Sequence, residues 1–135
     1  MVQEYRSEIL ERALRKLHLA VDGVKASVIV NVDGLLVASF PPGNMDDPTE
    51  NPTSSPQVAA MAATLIGLAE NTLTRLAQGK LDRILMEGQE GLMLVYPAGR
   101  AASIAVLLDK DARLNRAFFA AGKVAQEVNE ILGTS

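Results

Sequence analysis

The chain has 135 residues, 48% of them apolar and 21% charged, a length that suits one domain with a real core and leaves little room for two. Its net charge of −3 supplies no field that would gather nucleic acid or an anionic membrane. The absence of cysteine excludes disulfides, thiolate nucleophiles and Cys-ligated metal, and His18 is the one imidazole.

The opening Val2-Gln3-Glu4-Tyr5-Arg6-Ser7-Glu8 is too charged for a signal peptide, and no apolar run approaches the ~20 residues that span a bilayer, so a cytoplasmic protein without membrane insertion is expected. From Gln3 to about Ala20, Ile9, Leu10, Ala13, Leu14, Leu17 and Val21 recur at helical spacing, with Glu8, Glu11, Arg12, Arg15 and His18 on the other side. This predicts an amphipathic helix with His18 solvated, closed by Asp22-Gly23. The run from Gly23 to Phe40 then reads as two strands joined by Asp33-Gly34, a two-residue loop suited to a type I′ hairpin. Both strands carry apolar residues on both faces and so require cover on two sides.

Pro41 to Ser55 is rich in Pro, Asn, Asp, Ser and Thr and reads as an exposed loop without fold-critical contacts. Its Asp46, Asp47 and Glu50 lack the regular oxygen spacing and central glycine of a calcium loop, and solvated charge is the better reading. Ser54 or Ser55 can cap a helix whose first turn takes Pro56 and which runs to about Gln78, with Gly79 ending it. Val58, Ala62, Leu65, Ile66, Ala69, Leu73 and Leu76 form its predicted inward stripe. Ala60, Ala63, Thr64, Gly67, Asn71, Thr74 and Gln78 form an opposite stripe that is small or neutral, where a solvated face would carry Lys and Glu, and this predicts a protein contact. Leu81–Glu87, Leu92–Tyr96 and Ala102–Leu108 form three predicted strands, joined by Gly88-Gln89-Glu90-Gly91 and Pro97-Ala98-Gly99-Arg100 as an antiparallel meander. Asp109 or Asp111 is expected to cap a final helix from about Ala112 to Leu132.

The order helix, two strands, long helix, three strands, helix resembles the Roadblock/dynein light chain family over nearly the whole of residues 1–135. The segment "VDGVKASVIVNVDGLLVASF" is similar to the family's entry hairpin and "LNRAFFAAGKVAQEVNEIL" to its closing helix. The resemblance implies an α/β sandwich of the α+β type. A five-stranded antiparallel sheet would carry the first and last helices on one face and the middle helix on the other. It also implies a homodimer in which the two middle helices lie side by side and the strand containing Arg83 and Leu85 pairs with its two-fold mate. The implied interface is Ala60, Ala63, Thr64, Gly67, Asn71, Thr74, Arg83 and Leu85. Bacterial members act on a small Ras-like GTPase, and Thr64, Asn71, Thr74, Arg75 and Gln78 are the residues here that would meet one.

Chemistry of the chain's own is not expected. Gly88-Gln89-Glu90-Gly91 lacks a following Gly-Lys-Ser/Thr and opens onto a strand, so it is no phosphate loop. Arg75, Arg83, Arg100 and Arg113 are candidates for an arginine finger, weighed against ordinary surface arginines. Adjacent Phe118 and Phe119 cannot both face one core: one marks a contact surface or tucks between the first and last helices. The leading expectation is a non-enzymatic homodimeric adaptor or regulator of a small Ras-like GTPase, with no cofactor, metal or nucleic acid. The alternatives are a ligand-sensing domain of the PAS or GAF type, which needs a cavity in its core, and a scaffold without a GTPase partner.

Overall fold

The computed structural model of the chain describes residues 2–41 and 55–133, with side chains from Arg6 onward. The elements are α1 (Val2–Ala20), β1 (Val24–Asn31), β2 (Leu36–Phe40), α2 (Pro56–Arg75), β3 (Ile84–Glu87), β4 (Gly91–Ala98), β5 (Ala102–Asp109) and α3 (Leu114–Gly133). The strands form one antiparallel sheet in the order β2-β1-β5-β4-β3. This is the expected α/β sandwich.

Period-2 alternation distributes the strand side chains between two cores. Ile29, Leu94, Ile104, Val106 and Leu108 pack with Leu10, Leu14 and Leu17 of α1 and Val124 and Val128 of α3. Val28, Val30, Val95 and Ala105 turn to the other face and meet Ala59 and Ala62 of α2. The first core holds most of the large buried side chains, each worth roughly 1.5–3 kcal/mol against leaving it exposed. α2 closes the thinner layer.

The β1–β2 connection differs from the expected type I′ loop. Only Gly34 takes a positive φ, of 82°, while the Gly34 amide donates to the Asn31 carbonyl at 3.0 Å and the Asn31 amide to the Leu35 carbonyl at 2.9 Å. These bonds define a three-residue loop, a turn over Asn31–Gly34 followed by a left-handed glycine. The Asn31 side chain explains the change: its Oδ1 accepts from the Asp33 and Leu35 amides at 3.0 Å each, satisfying groups a two-residue loop would leave differently placed.

Ser55 caps α2, its Oγ accepting from the Gln57 and Val58 amides, and Pro56 occupies the first turn as expected. The helix ends at Arg75, three residues before Gln78. The Gln78 amide bonds the Leu73 carbonyl and the Ala77 amide the Thr74 carbonyl, a complete Schellman closure with Ala77 at φ 56°. β3 is shorter than the predicted Leu81–Glu87, its pairing with β4 starting at Ile84 opposite Val95. α3 begins at Leu114, so neither Asp109 nor Asp111 is its cap. Asp109 instead ends β5 and pairs with Lys25 at 3.2 Å. Residues 42–54 of the predicted loop, with Asp46, Asp47 and Glu50, lie outside the described residues.

Candidate interaction surface

α2 docks on the sheet through its smallest side chains. Ala59 and Ala62 are buried, and Ala63 and Ile66 pack beside them against Val28, Val30 and Val95. Short side chains bring a helix close to a sheet, so the contact selects alanines and leaves the larger residues elsewhere. The inward stripe expected from the sequence holds along the helix, with Ala62 buried and Val58, Leu65, Ile66, Ala69 and Leu73 half-buried, and departs at the C-cap residue Leu76, which is exposed.

At about 100° per residue, Met61, Leu68 and Leu76 fall on one outward flank, bordered by half-buried Leu65. Met61, Leu68 and Leu76 are each 62% exposed, which leaves an apolar helix flank uncovered in the single chain. Near it the sheet is also thinly covered. Ile84, Met86 and Met93 are half-buried, and Met86 pairs with Met93 in register.

The expected interface residues separate into groups. Thr64, Asn71, Thr74, Arg75 and Gln78 are all exposed: Asn71 and Thr74 face away from the apolar stripe, Thr64 and Arg75 border it one and two turns from Leu68, and Gln78 lies past the helix end. The Thr64 hydroxyl donates to the Ala60 carbonyl at 2.8 Å and Gln78 Nε2 to the Leu76 carbonyl at 3.1 Å. Ala60 is exposed but its backbone lies against Gly34, where an added Cβ would stand 3.1 Å from the Ala60 Cα. Ala63 belongs to the sheet contact. Gly67 has open space where a Cβ would point, in a cleft shared with Val32, Glu70 and Arg100. Arg83 and Leu85 sit with the other face: Leu85 packs into the core of α1 and α3, and the Arg83 guanidinium lies 4.0 Å from the centre of the Phe118 ring.

His18 is not the solvated side chain the helical pattern suggests. Its Nε2 meets the Ser27 hydroxyl at 3.0 Å, and its ring meets Phe40 edge-on with centroids 4.7 Å apart. Burial pushes the imidazole below its ordinary pKa, and its hydrogen bond to the Phe40 backbone opposes that shift. Ser27 itself is fully buried, so His18 supplies the polar partner that Ser27 requires. Tyr96 is likewise a buried polar residue, its hydroxyl donating to the Phe118 carbonyl at 2.9 Å. Burial raises its pKa, with the Arg83 charge acting in the opposite direction.

Of the two phenylalanines, Phe118 is half-buried against the α1–α3 core and Phe119 is 70% exposed. Among the described residues no cluster of three or more His, Asp or Glu side chains is placed to hold a metal, and no helix is long and apolar enough to cross a membrane. Two clefts of about 450 and 460 Å³ flank α3 at the surface.

A family model described as the Roadblock/LC7 domain matches residues 11–108. The uncharacterized protein MJ0714 of Methanocaldococcus jannaschii is 36% identical over 107 residues, 79% of this chain and 80% of its own length. The Roadblock/LC7 domain from Streptomyces avermitilis superposes with a TM-score of 0.78 at 21% identity, covering 91% of this chain and 97% of that one. Gliding protein MglB from Thermus thermophilus superposes with a TM-score of 0.80 at 14% identity, covering 96% and 93%. Those two superpositions show a shared fold. The matched segment runs from the middle of α1 to the end of β5 and takes in the five strands and α2, so the chain belongs to the Roadblock/LC7 domain family.

Proposed function

We propose that the chain is a homodimeric, non-enzymatic adaptor or regulator of a small Ras-like GTPase. The observation that carries the reading is the uncovered apolar flank of α2, Met61, Leu68 and Leu76, in a member of this family. A two-fold contact is self-complementary, so one such flank can cover its own copy without any second kind of surface. Half-exposed Ile84, Met86 and Met93 beside it extend the patch, and the edge position of β3 leaves its outer backbone groups for a mate. The small stripe expected to form this contact is exposed at Ala60, Thr64, Gly67, Asn71 and Thr74, and Met61 and Leu68 add an apolar flank beside it.

Asn71 and Thr74 face away from the apolar seam and Thr64 and Arg75 border it, and with Gln78 past the helix end they form the polar surface offered to the GTPase. The dimer would act by binding one switch conformation of the GTPase more tightly than another. No hydrolytic group of its own is required for that.

Light scattering on the purified chain should give about twice 14.4 kDa. Leu68→Glu should lower that mass while Glu11→Arg leaves it alone; a monomer at high micromolar concentration in the unsubstituted chain would refute the dimer. A Ras-like GTPase encoded beside this chain, loaded with GTP or GDP, should be retained by the immobilised dimer in a nucleotide-dependent way. Arg75→Ala should weaken that retention with the mass unchanged. Retention of neither form would leave the family fold serving as a scaffold without a GTPase.

A further inference from the structure

Phe118 and Phe119 are neighbours on α3, so their side chains diverge by about 100°. Each ring carries a cation: the Arg83 guanidinium stands 4.0 Å from the centre of Phe118 and the Lys123 ammonium 5.3 Å from that of Phe119. Between them lies the cleft of about 460 Å³, whose wall is completed by Tyr96, Gly122, Gln126 and Asn129. The cleft is braced from below. The Tyr96 hydroxyl ties the Phe118 carbonyl to β4 at 2.9 Å, and the Asn129 carboxamide abuts Gly99, whose φ of 73° suits a residue without Cβ.

Neither Arg83 nor Lys123 is ion-paired with another described residue; the two described ion pairs are Lys16 with Glu127 and Lys25 with Asp109. In a chain of net charge −3, this cleft therefore carries two unpaired cations against one lining acid, Asp82. The Arg83 guanidinium also hydrogen-bonds the Tyr96 side chain, which fixes it at the cleft wall and leaves its remaining N–H groups for a carboxylate. Beside it the exposed Phe119 ring offers an apolar anchor. Aromatic rings with arginine are the composition of interface anchors.

We propose that this cleft docks an acidic peptide segment of a partner protein, one apolar side chain lying on Phe119 and flanking carboxylates meeting Arg83 and Lys123. The site is on the sheet face opposite α2, so it stands apart from the GTPase reading and a failure of either leaves the other intact.

The test is a titration of the ¹⁵N-labelled full chain with the peptide acetyl-Asp-Glu-Leu-Glu-Asp-amide, alongside acetyl-Lys-Lys-Leu-Lys-Lys-amide. Saturable shifts should be confined to the amides of Arg83, Phe118, Phe119, Gly122, Lys123 and Gln126, and should arise with the acidic peptide alone. Arg83→Gln and Lys123→Gln, folded by circular dichroism, should each weaken binding about fivefold or more, with added salt acting in the same direction. Absence of saturable shifts at millimolar peptide, equal response to the basic peptide, or unchanged binding in both variants would overturn the proposal. A fall in solution mass for Phe119→Ser would overturn it too, by making the cleft a contact between copies.

Discussion

One imidazole joins three elements. His18 of α1 reaches the Ser27 hydroxyl on β1 and the Phe40 ring on β2, and burial holds its pKa below the ordinary 6.5. The unfolded chain therefore takes up the proton first as pH falls, so the folded state is favoured above the unfolded value and loses stability progressively below it, down to the lower folded value. Urea unfolding between about pH 7.5 and 5.5 should show this loss in the unsubstituted chain and a smaller loss in His18→Gln, whose side chain does not titrate. Equal pH slopes in the two proteins would remove His18 from the account. The helical pattern places His18 on the polar side of α1 correctly, but it does not reveal that β1 presents a buried serine to that side. A hydroxyl at a buried strand position, Ser27 between Ala26 and Val28, is the one signal in the sequence that a polar partner is needed.

At the scale of elements, α2 follows the sequence reading along its length and departs from it at its C-terminal end. Periodicity finds the helix, its serine cap and its proline, because those depend on local chemistry. It also finds the inward face, apart from exposed Leu76, but misses buried Ala59, because a small residue at the point of closest approach carries little weight in a hydrophobic stripe. Ala62→Leu should accordingly cost about 1–3 kcal/mol in chemical unfolding, through overpacking against the sheet. The far end of the helix offers the opposite case. Ala77 sits in the left-handed region that glycine occupies without a Cβ penalty, one position before Gln78 completes the Schellman closure. Ala77→Gly should raise stability by about 0.5–1 kcal/mol, read as a higher denaturation midpoint at unchanged slope. Gly79, the expected helix stop, also has positive φ, but the chain has already left the helix before it.

Across the whole molecule, the sandwich, its strand order and the division of helices between faces follow from element order and strand alternation, which is why they were legible from the resemblance and the pattern together. The surfaces were less legible, because a lone sequence does not distinguish a small residue pressed against its own sheet from one kept short for a partner. The two cores are also unequal, one closed by two helices with many large side chains and the other by a single helix resting on alanines. Native-state hydrogen exchange on the lone chain should therefore find residues 67–75 of α2 opening at lower free energy than the buried turns of α1 and α3, and protection there rising with protein concentration as copies associate. Uniform protection along α2 at every concentration would contradict both parts. The close approach of α2 to the sheet also divides the history of substitution open to this helix. At Ala59 and Ala62 even one added methylene is felt by the fold, whereas at Met61, Leu68 and Leu76 the fold is indifferent to size and only an assembly can select. Drift among descendants should thus be slow at the alanines in every lineage and slow at the leucines only where the copies still meet.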